Sequence, residues 1–275
     1  MGLQQFINTC TQVVSAERGA TVTGLSRHLK WQLRRALGMF PMVLEISKSR
    51  VAVDRPSGVA ALINCLGLYD FNNMSLLQRV LRPGSIFFDV GANIGAYTLI
   101  ASEHAQVRVF SFEPNPRACA QLRQNVELNR RGNVVIVPLA VGDQVGPVRM
   151  TDGADLSTNR VVSSAVANVE SIEVPCQKLD LFCREFSVHP SAVKIDVEGT
   201  EIDVLRGFRD EHFQTDLFLI ERGERAEIHS LMAGWGYNGP VYFHQRTGQF
   251  LRTRQARAED TAYVSRASTL AMGIT

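Results

Sequence analysis

From residue 85 onward, apolar runs that read as strands alternate with helical stretches, and this alternation constrains the fold more than any other feature. It predicts an α/β domain with a parallel sheet and helices on its faces. The runs at 86–89 and 107–113 each close on an acid, Asp89 and Glu113. Such unbroken apolar stretches suit strands buried on both faces. Further strands are expected at 133–138, 192–196 and 216–221, and helices at 96–103, 117–129, after 196 and through 225–234. VYFHQ and GQFLR then read as an antiparallel hairpin turning near 246–248. Residues 151–170, rich in small polar side chains, break the rhythm between the third and fourth strands. They are expected to form an exposed loop or small hairpin, either covering a site or free to vary.

The first strand runs into a glycine-broken turn, Gly91-Ala92-Asn93-Ile94-Gly95, the usual place for a nucleotide. A phosphate-binding GxxxxGK[ST] loop is excluded, because no lysine follows Gly95. A dinucleotide turn, GxGxxG, lacks its middle glycine here, which disfavours a nicotinamide-dependent oxidoreductase. Asp89, two residues before Gly91, would oppose a pyrophosphate but attract a cation. S-adenosylmethionine carries an ammonium and a sulfonium and no phosphate, and therefore suits this turn. Asp89 could accept from the cofactor directly or brace the glycine loop, and both readings stay open. Glu113, 22 residues after Gly91, stands where an acid accepts from ribose hydroxyls. That placement supports a nucleoside without choosing among them.

The blocks DVGANIGAYTL, FEPNP, LAVGD and KIDVEGTEIDVLRG, in that order, resemble the FkbM-type methyltransferases, which use S-adenosyl-L-methionine and typically methylate hydroxyl oxygens. The likeness runs from about residue 67 to 221 and is most distinctive at KIDVEG with Glu201, Val204, Leu205 and Gly207. It implies a Rossmann-like class I methyltransferase fold with a seven-stranded, mostly parallel sheet in the order 3-2-1-4-5-7-6 and helices on both faces. The last strand would be antiparallel, and the final two strands would be the hairpin at 241–252. The methyltransferase domain would span 56–275, after an N-terminal helical, basic extension over 1–55. By the same resemblance, Asp89, Gly91, Asn93 and Gly95 form the cofactor loop, Glu113 holds the ribose, and Pro114 and Asn115 flank the adenine. The segment from Ala140 to Asp143 would approach the adenine's other edge. The run Arg-Gly-Glu-Arg after Glu221 is more charged than that position usually is, and residues 1–55 have no counterpart in the family pattern.

Moving a methyl group to a hydroxyl requires alignment and a destination for the hydroxyl proton. Lys194, Asp196 and Glu198 are spaced two apart, so a strand extended through Glu198 would project all three to one side, at the edge that flanks ligands in open α/β sheets. Asp196 or Glu198 would then serve as base, with Lys194 beside them. With Glu221 they could also hold a hard divalent cation; the plainer alternative is a Lys–Asp pair and a helix-capping Glu that order the turn, and no metal ligand is assigned. Tyr97 reads as a cleft-wall residue. The six histidines form no HExxH motif and no cluster, with His189 and His244 nearest the expected acceptor side.

Composition narrows the partners. A net charge of +2 with 20% charged residues predicts no strong preference for nucleic acid. With the resemblance, the acceptor is expected to be a hydroxyl of a small molecule or glycan; the alternative is a binding or scaffold protein that keeps the cofactor fold without turnover. Cys10, Cys65, Cys119, Cys176 and Cys183 form no CxxC pair, which is ordinary for a reducing compartment. With no signal-like start and no apolar stretch of about 18 residues, the expected location is cytoplasmic. Residues 1–55 are nonetheless basic, with eight Lys or Arg against three acids. SRHLKWQLRRALGMF can form a helix with Leu29, Leu33 and Leu37 in a row. Such a helix can make peripheral contact with an anionic membrane or simply cap the main domain.

Overall fold

The computed structural model describes residues 21–54, 58–68, 70–153, 156–162, 170–209, 215–244, 249–251, 260–265 and 268–269. The expected turn at 246–248, parts of the insert (154–155 and 163–169), and residues 1–20 and 55 of the N-terminal segment lie outside the described residues. The first elements among the described residues are helix α1 (Thr21–Ala36) and a hairpin of β1 (Met42–Ile46) and β2 (Ser49–Val53), the hairpin not singled out in the sequence. Helices α2 (Gly58–Leu66) and α3 (Phe71–Val80) precede the first central strand, β3 (Ile86–Val90). Then come α4 (Ala96–Ala101), β4 (Arg108–Phe112), α5 (Pro116–Leu128) and β5 (Val134–Val137).

The second half contributes α6 (Leu179–Phe186), β10 (Ala192–Ile195), α7 (Glu201–Arg206), β11 (Leu217–Glu221) and α8 (Ala226–Gly234). It ends with β12 (Asn238–His244), β13 (Gln249–Leu251) and β14 (Asp260–Val264). The large sheet runs β5-β4-β3-β10-β11-β14-β12-β13, with the first five strands parallel. This is the class I order 3-2-1-4-5-7-6 with one strand added at the edge. One expectation is corrected. The hairpin of β12 and β13 is present, but its second arm is the added edge strand. The strand inserted beside β11 is β14, antiparallel to both β11 and β12.

Strand alternation divides the core. Phe87, Leu217 and Leu219 face one cluster with Trp31, Met74, Leu77 and Leu99, while Phe88, Phe218 and Ile220 face the other with Phe182, Leu205 and Met232. On the second face Phe88, Phe110 and Phe112 surround Phe182 edge-to-face, at centroid distances of 4.9–5.8 Å. Such pairs add about 0.5–1.5 kcal/mol each beyond their buried area. Of residues 151–170, expected as an exposed loop or small hairpin, Thr151 and Val161–Val162 lie in strands that pair antiparallel within a second sheet. Strands β6 (Ala140–Val141), β7 (Gly146–Thr151), β8 (Val161–Val162) and β9 (Ser171–Gln177) are ordered β6-β9-β7-β8.

The N-terminal hairpin is fastened by amide side chains. Four residues along a helix rise about 6 Å, close to the span of two residues along a strand. Asn125 of α5 and Asn129, which caps its C-terminus, therefore meet Ala52 and Arg50 of β2 in register. Asn125 Oδ1 accepts from the Ala52 N–H at 2.6 Å, and its Nδ2 donates to the Ala52 and Ile94 carbonyls. Asn129 makes the equivalent pair with Arg50, at 2.8 and 2.6 Å. Asn125 is fully buried, and Asn125→Leu would leave the backbone of Ala52 and Ile94 short of partners. A loss of about 2–3 kcal/mol is expected by urea denaturation; a change below about 0.5 kcal/mol would show that the clasp contributes nothing net.

Candidate active site

The site lies at the carboxyl ends of β3, β4, β10 and β11. The chain leaves β3 through Gly91 at φ +83°, with its N–H and that of Ala92 both donating to the Phe112 carbonyl at 3.0 Å. A Cβ on Gly91 would stand 1.8 Å from the Asp196 carbonyl oxygen, so glycine is required by the approach of two backbones. Gly95 (φ +92°) is similarly fixed, since a Cβ there would lie 2.4 Å from Leu122 Cδ1. Between them Asn93 adopts φ +51°, a conformation Asn tolerates better than most residues.

Two buried carboxylates hold this turn from below. Asp89 accepts from Thr98 Oγ1 at 2.6 Å, and Thr98 Oγ1 lies 2.7 Å from Ser111 Oγ. Asp89 thus braces α4, just beyond the glycine loop. Burial raises its pKa to about 6, against lowering by the Thr98 hydrogen bond and Lys194. Glu113 accepts the Asn93 N–H at Oε2 and the Asn115 N–H at Oε1, both at 2.8 Å, tying the two loops together. Burial raises it to about 7 despite those two donors. Each oxygen of such a carboxylate has a second acceptor position.

Asn115 caps α5, accepting from the Arg117 and Ala118 N–H groups, and Pro114 beside it is half-buried. Asn115 also donates to Asp152 at 3.1 Å, and Arg117 pairs with the same carboxylate at 2.5 Å, joining the second sheet to this loop. Ala140 is buried in the core of that sheet with Val148, Met150 and Cys176, and Asp143 is exposed.

On the other side of the turn, β10 ends at Ile195, so the expected extension of the strand through Glu198 is not found. Glu198 instead sits at φ +57°, a rare backbone state for such a residue. The carboxylates still converge: one oxygen from each of Asp196, Glu198 and Glu221 lies within 4.8 Å of the others. Lys194, 1% exposed, donates to Asp196 Oδ2 at 2.9 Å, and its ammonium is 5.1 Å from the centre of the Tyr97 ring. Tyr97 is buried and hydrogen-bonded to Asp70. The acid that caps the following turn is Glu201, which accepts the Gly199 N–H at 2.7 Å and pairs with Arg225.

Glu221 Oε2 is buried with no hydrogen-bond partner. Its pKa is raised to about 8, first by burial and then by the charges of Asp196 and Glu198, against lowering by Arg222. Burial and Asp196 also raise Glu198. Arg222 lies 3.9 Å from Glu198 and 3.5 Å from Glu221, so the charged run after β11 is built into the cluster. Thr98, Ser111 and Arg225 were missed in the sequence. A lone serine within the apolar run VRVFSF was the available signal for the first pair.

The chemistry of this set fits a cationic, phosphate-free cofactor. Asp89, Glu113, Asp196, Glu198 and Glu221 line the strand ends, and Lys194, the buried cation beside them, is already bonded to Asp196. Comparison with known proteins agrees. Residues 89–255 match the model of the methyltransferase FkbM domain. The hexuronic acid methyltransferase AglP of Haloferax volcanii is 27% identical over 196 residues, covering 66% of this chain and 74% of that protein. The 31-O-demethyl-FK506 methyltransferase FkbM of Streptomyces tacrolimicus is 31% identical over 193 residues, covering 57% and 74%. A solved structure, putative transferase PH0793 from Pyrococcus horikoshii, aligns with a TM-score of 0.44 and 11% identity over 86% of this chain and 81% of that one.

The raised carboxylates set a pH dependence. Asp89, Glu113 and Glu221 all bind their protons more tightly folded than unfolded, so the folded state holds more protons and stability falls as pH rises. For Glu221 the fall spans about 4.5 to about 8. The melting temperature of the ligand-free protein should drop across that window, and Glu221→Gln should flatten the upper part. An unchanged slope in the variant would remove Glu221 as a contributor. The chain belongs to the FkbM family and is an S-adenosylmethionine-dependent methyltransferase.

Proposed function

We propose that this methyltransferase acts on a hydroxyl oxygen of a small molecule or glycan, with Asp196 and Glu198 receiving the hydroxyl proton. The observation that carries this reading is the meeting of Asp196, Glu198 and Glu221 beside buried Lys194 at the carboxyl edge of the sheet. The relatives' names support the acceptor class: one acts on a hexuronic acid, and the other on 31-O-demethyl-FK506, which marks an oxygen as the destination.

When bound, S-adenosylmethionine supplies an electrophilic methyl on a sulfonium. The loop of Asp89, Gly91, Asn93 and Gly95 would hold it, with Glu113 accepting from its ribose hydroxyls. Pro114 and Asn115 would flank the adenine, and Ala140 and Asp143 its other edge. Lys194 is a positioning residue: it fixes the Asp196 carboxylate through one hydrogen bond and leaves the second oxygen to face the acceptor. With the cofactor bound, the acceptor's O–H would break as its oxygen takes the methyl, the methyl–sulfur bond would break to leave the neutral thioether, and the proton would pass to the carboxylate pair. Glu198, with its raised pKa, binds a proton more readily than a solvated carboxylate would, as a general base near neutral pH requires.

Calorimetric titration of S-adenosylmethionine and S-adenosylhomocysteine tests the cofactor half. Wild type should bind both, and Glu113→Ala should weaken them about 10-fold or more through lost charge-assisted hydrogen bonds. Asp196→Asn, assayed with sugar-acid and alcohol acceptors, should lower kcat by about 10²–10⁴ while S-adenosylhomocysteine affinity stays within about threefold. Full turnover by both Asp196→Asn and Glu198→Gln would remove the carboxylate base.

A further inference from the structure

We infer that the outer face of α1, with the turn that follows it, docks on an anionic lipid surface. Helix α1 uses one side for the core: Trp31 and His28 are each 1% exposed, and Trp31 packs edge-on against Phe40 at 5.3 Å. The other side carries Leu29, Leu33 and Leu37, spaced four apart and 64%, 60% and 65% exposed. Met39 and Val43, in the segment that follows the helix, are also more than half exposed. Single exposed leucines are ordinary, but a contiguous apolar row marks an interaction site.

Charge identifies the occupant. Arg27, Lys30 and Arg34 are exposed along one flank of the leucine row, and no acidic residue occurs between positions 21 and 44. A second copy seated face to face would bring these cations together, a juxtaposition that disfavours pairing. An anionic headgroup layer meets both needs at once. It takes the leucines at the boundary with the acyl chains, while the long basic side chains reach the phosphates. Among the described residues no helix is long and apolar enough to cross a membrane, so the contact is peripheral. This surface is argued independently of the acceptor chemistry.

The test is flotation of the full chain with phosphatidylcholine vesicles, with and without phosphatidylglycerol. Wild type should float only with the anionic vesicles and should be released by high salt. Each basic residue near such a surface is worth about fivefold in partitioning, so Lys30→Gln/Arg34→Gln should lower it about 25-fold. Leu29→Ser/Leu33→Ser should lower it at least about 10-fold, because insertion scales with the apolar area buried. Both variants change exposed side chains and should keep the wild-type circular dichroism and S-adenosylhomocysteine affinity. Failure of wild type to float, or equal flotation with neutral vesicles that the charge variant leaves unchanged, would overturn the assignment. A dimer in sedimentation that the leucine variant dissolves would also overturn it, giving the face to a second copy.

Discussion

The contact on which the site depends is between two backbones. Gly91 leaves β3 so close to the Asp196 carbonyl that no side chain fits between them. The Asp196 N–H in turn donates to Val90 at 3.0 Å, continuing the β3–β10 pairing one step past the strand ends. The glycine loop and the carboxylate cluster are thereby held side by side. In the proposed reading, cofactor recognition and proton management would both follow from this one junction between neighbouring strands, where open α/β sheets place their ligand crevices.

Around that junction the protein concentrates acids that are costly to ionise. Burial raises Asp89, Glu113 and Glu221, and the fold offsets the cost unevenly. Asp89 has Thr98, and Glu113 has two backbone donors, while Glu221 Oε2 has no hydrogen-bond donor. The first two acids consequently order loops. The third, Glu221, is raised by its burial and further by the charges of Asp196 and Glu198 beside it.

Much of this was legible in the sequence because the main sheet is encoded locally. Apolar runs closing on Asp89, Glu113 and Glu221 gave the parallel strands, the missing lysine excluded a GxxxxGK[ST] phosphate loop, and the missing middle glycine disfavoured a dinucleotide. Three features were not legible, each for a physical reason. Strand β14 pairs with β11 across some forty residues of chain, and nothing in its short run identifies its neighbour over the hairpin arm β13. The reach of β10 was overestimated because alternating polar residues look the same in a strand and in a left-handed turn at Glu198. The steric reason for glycine at 91 was not legible either: the space a Cβ would need is taken by the Asp196 carbonyl, and spacing alone does not reveal which atoms approach a glycine.

The clasp between α5 and β2 has a further consequence. The outward edge of β2 displays the Arg50 and Ala52 N–H and carbonyl groups, which in a two-stranded hairpin would template pairing with another chain. Asn125 and Asn129 occupy those groups from the helix side, with Gln121 adding a second donor to Ala52 at 3.0 Å. Three amides, two on α5 and one at its C-cap, therefore act as a counterfeit strand, closing the outward edge of the hairpin to β-sheet polymerisation.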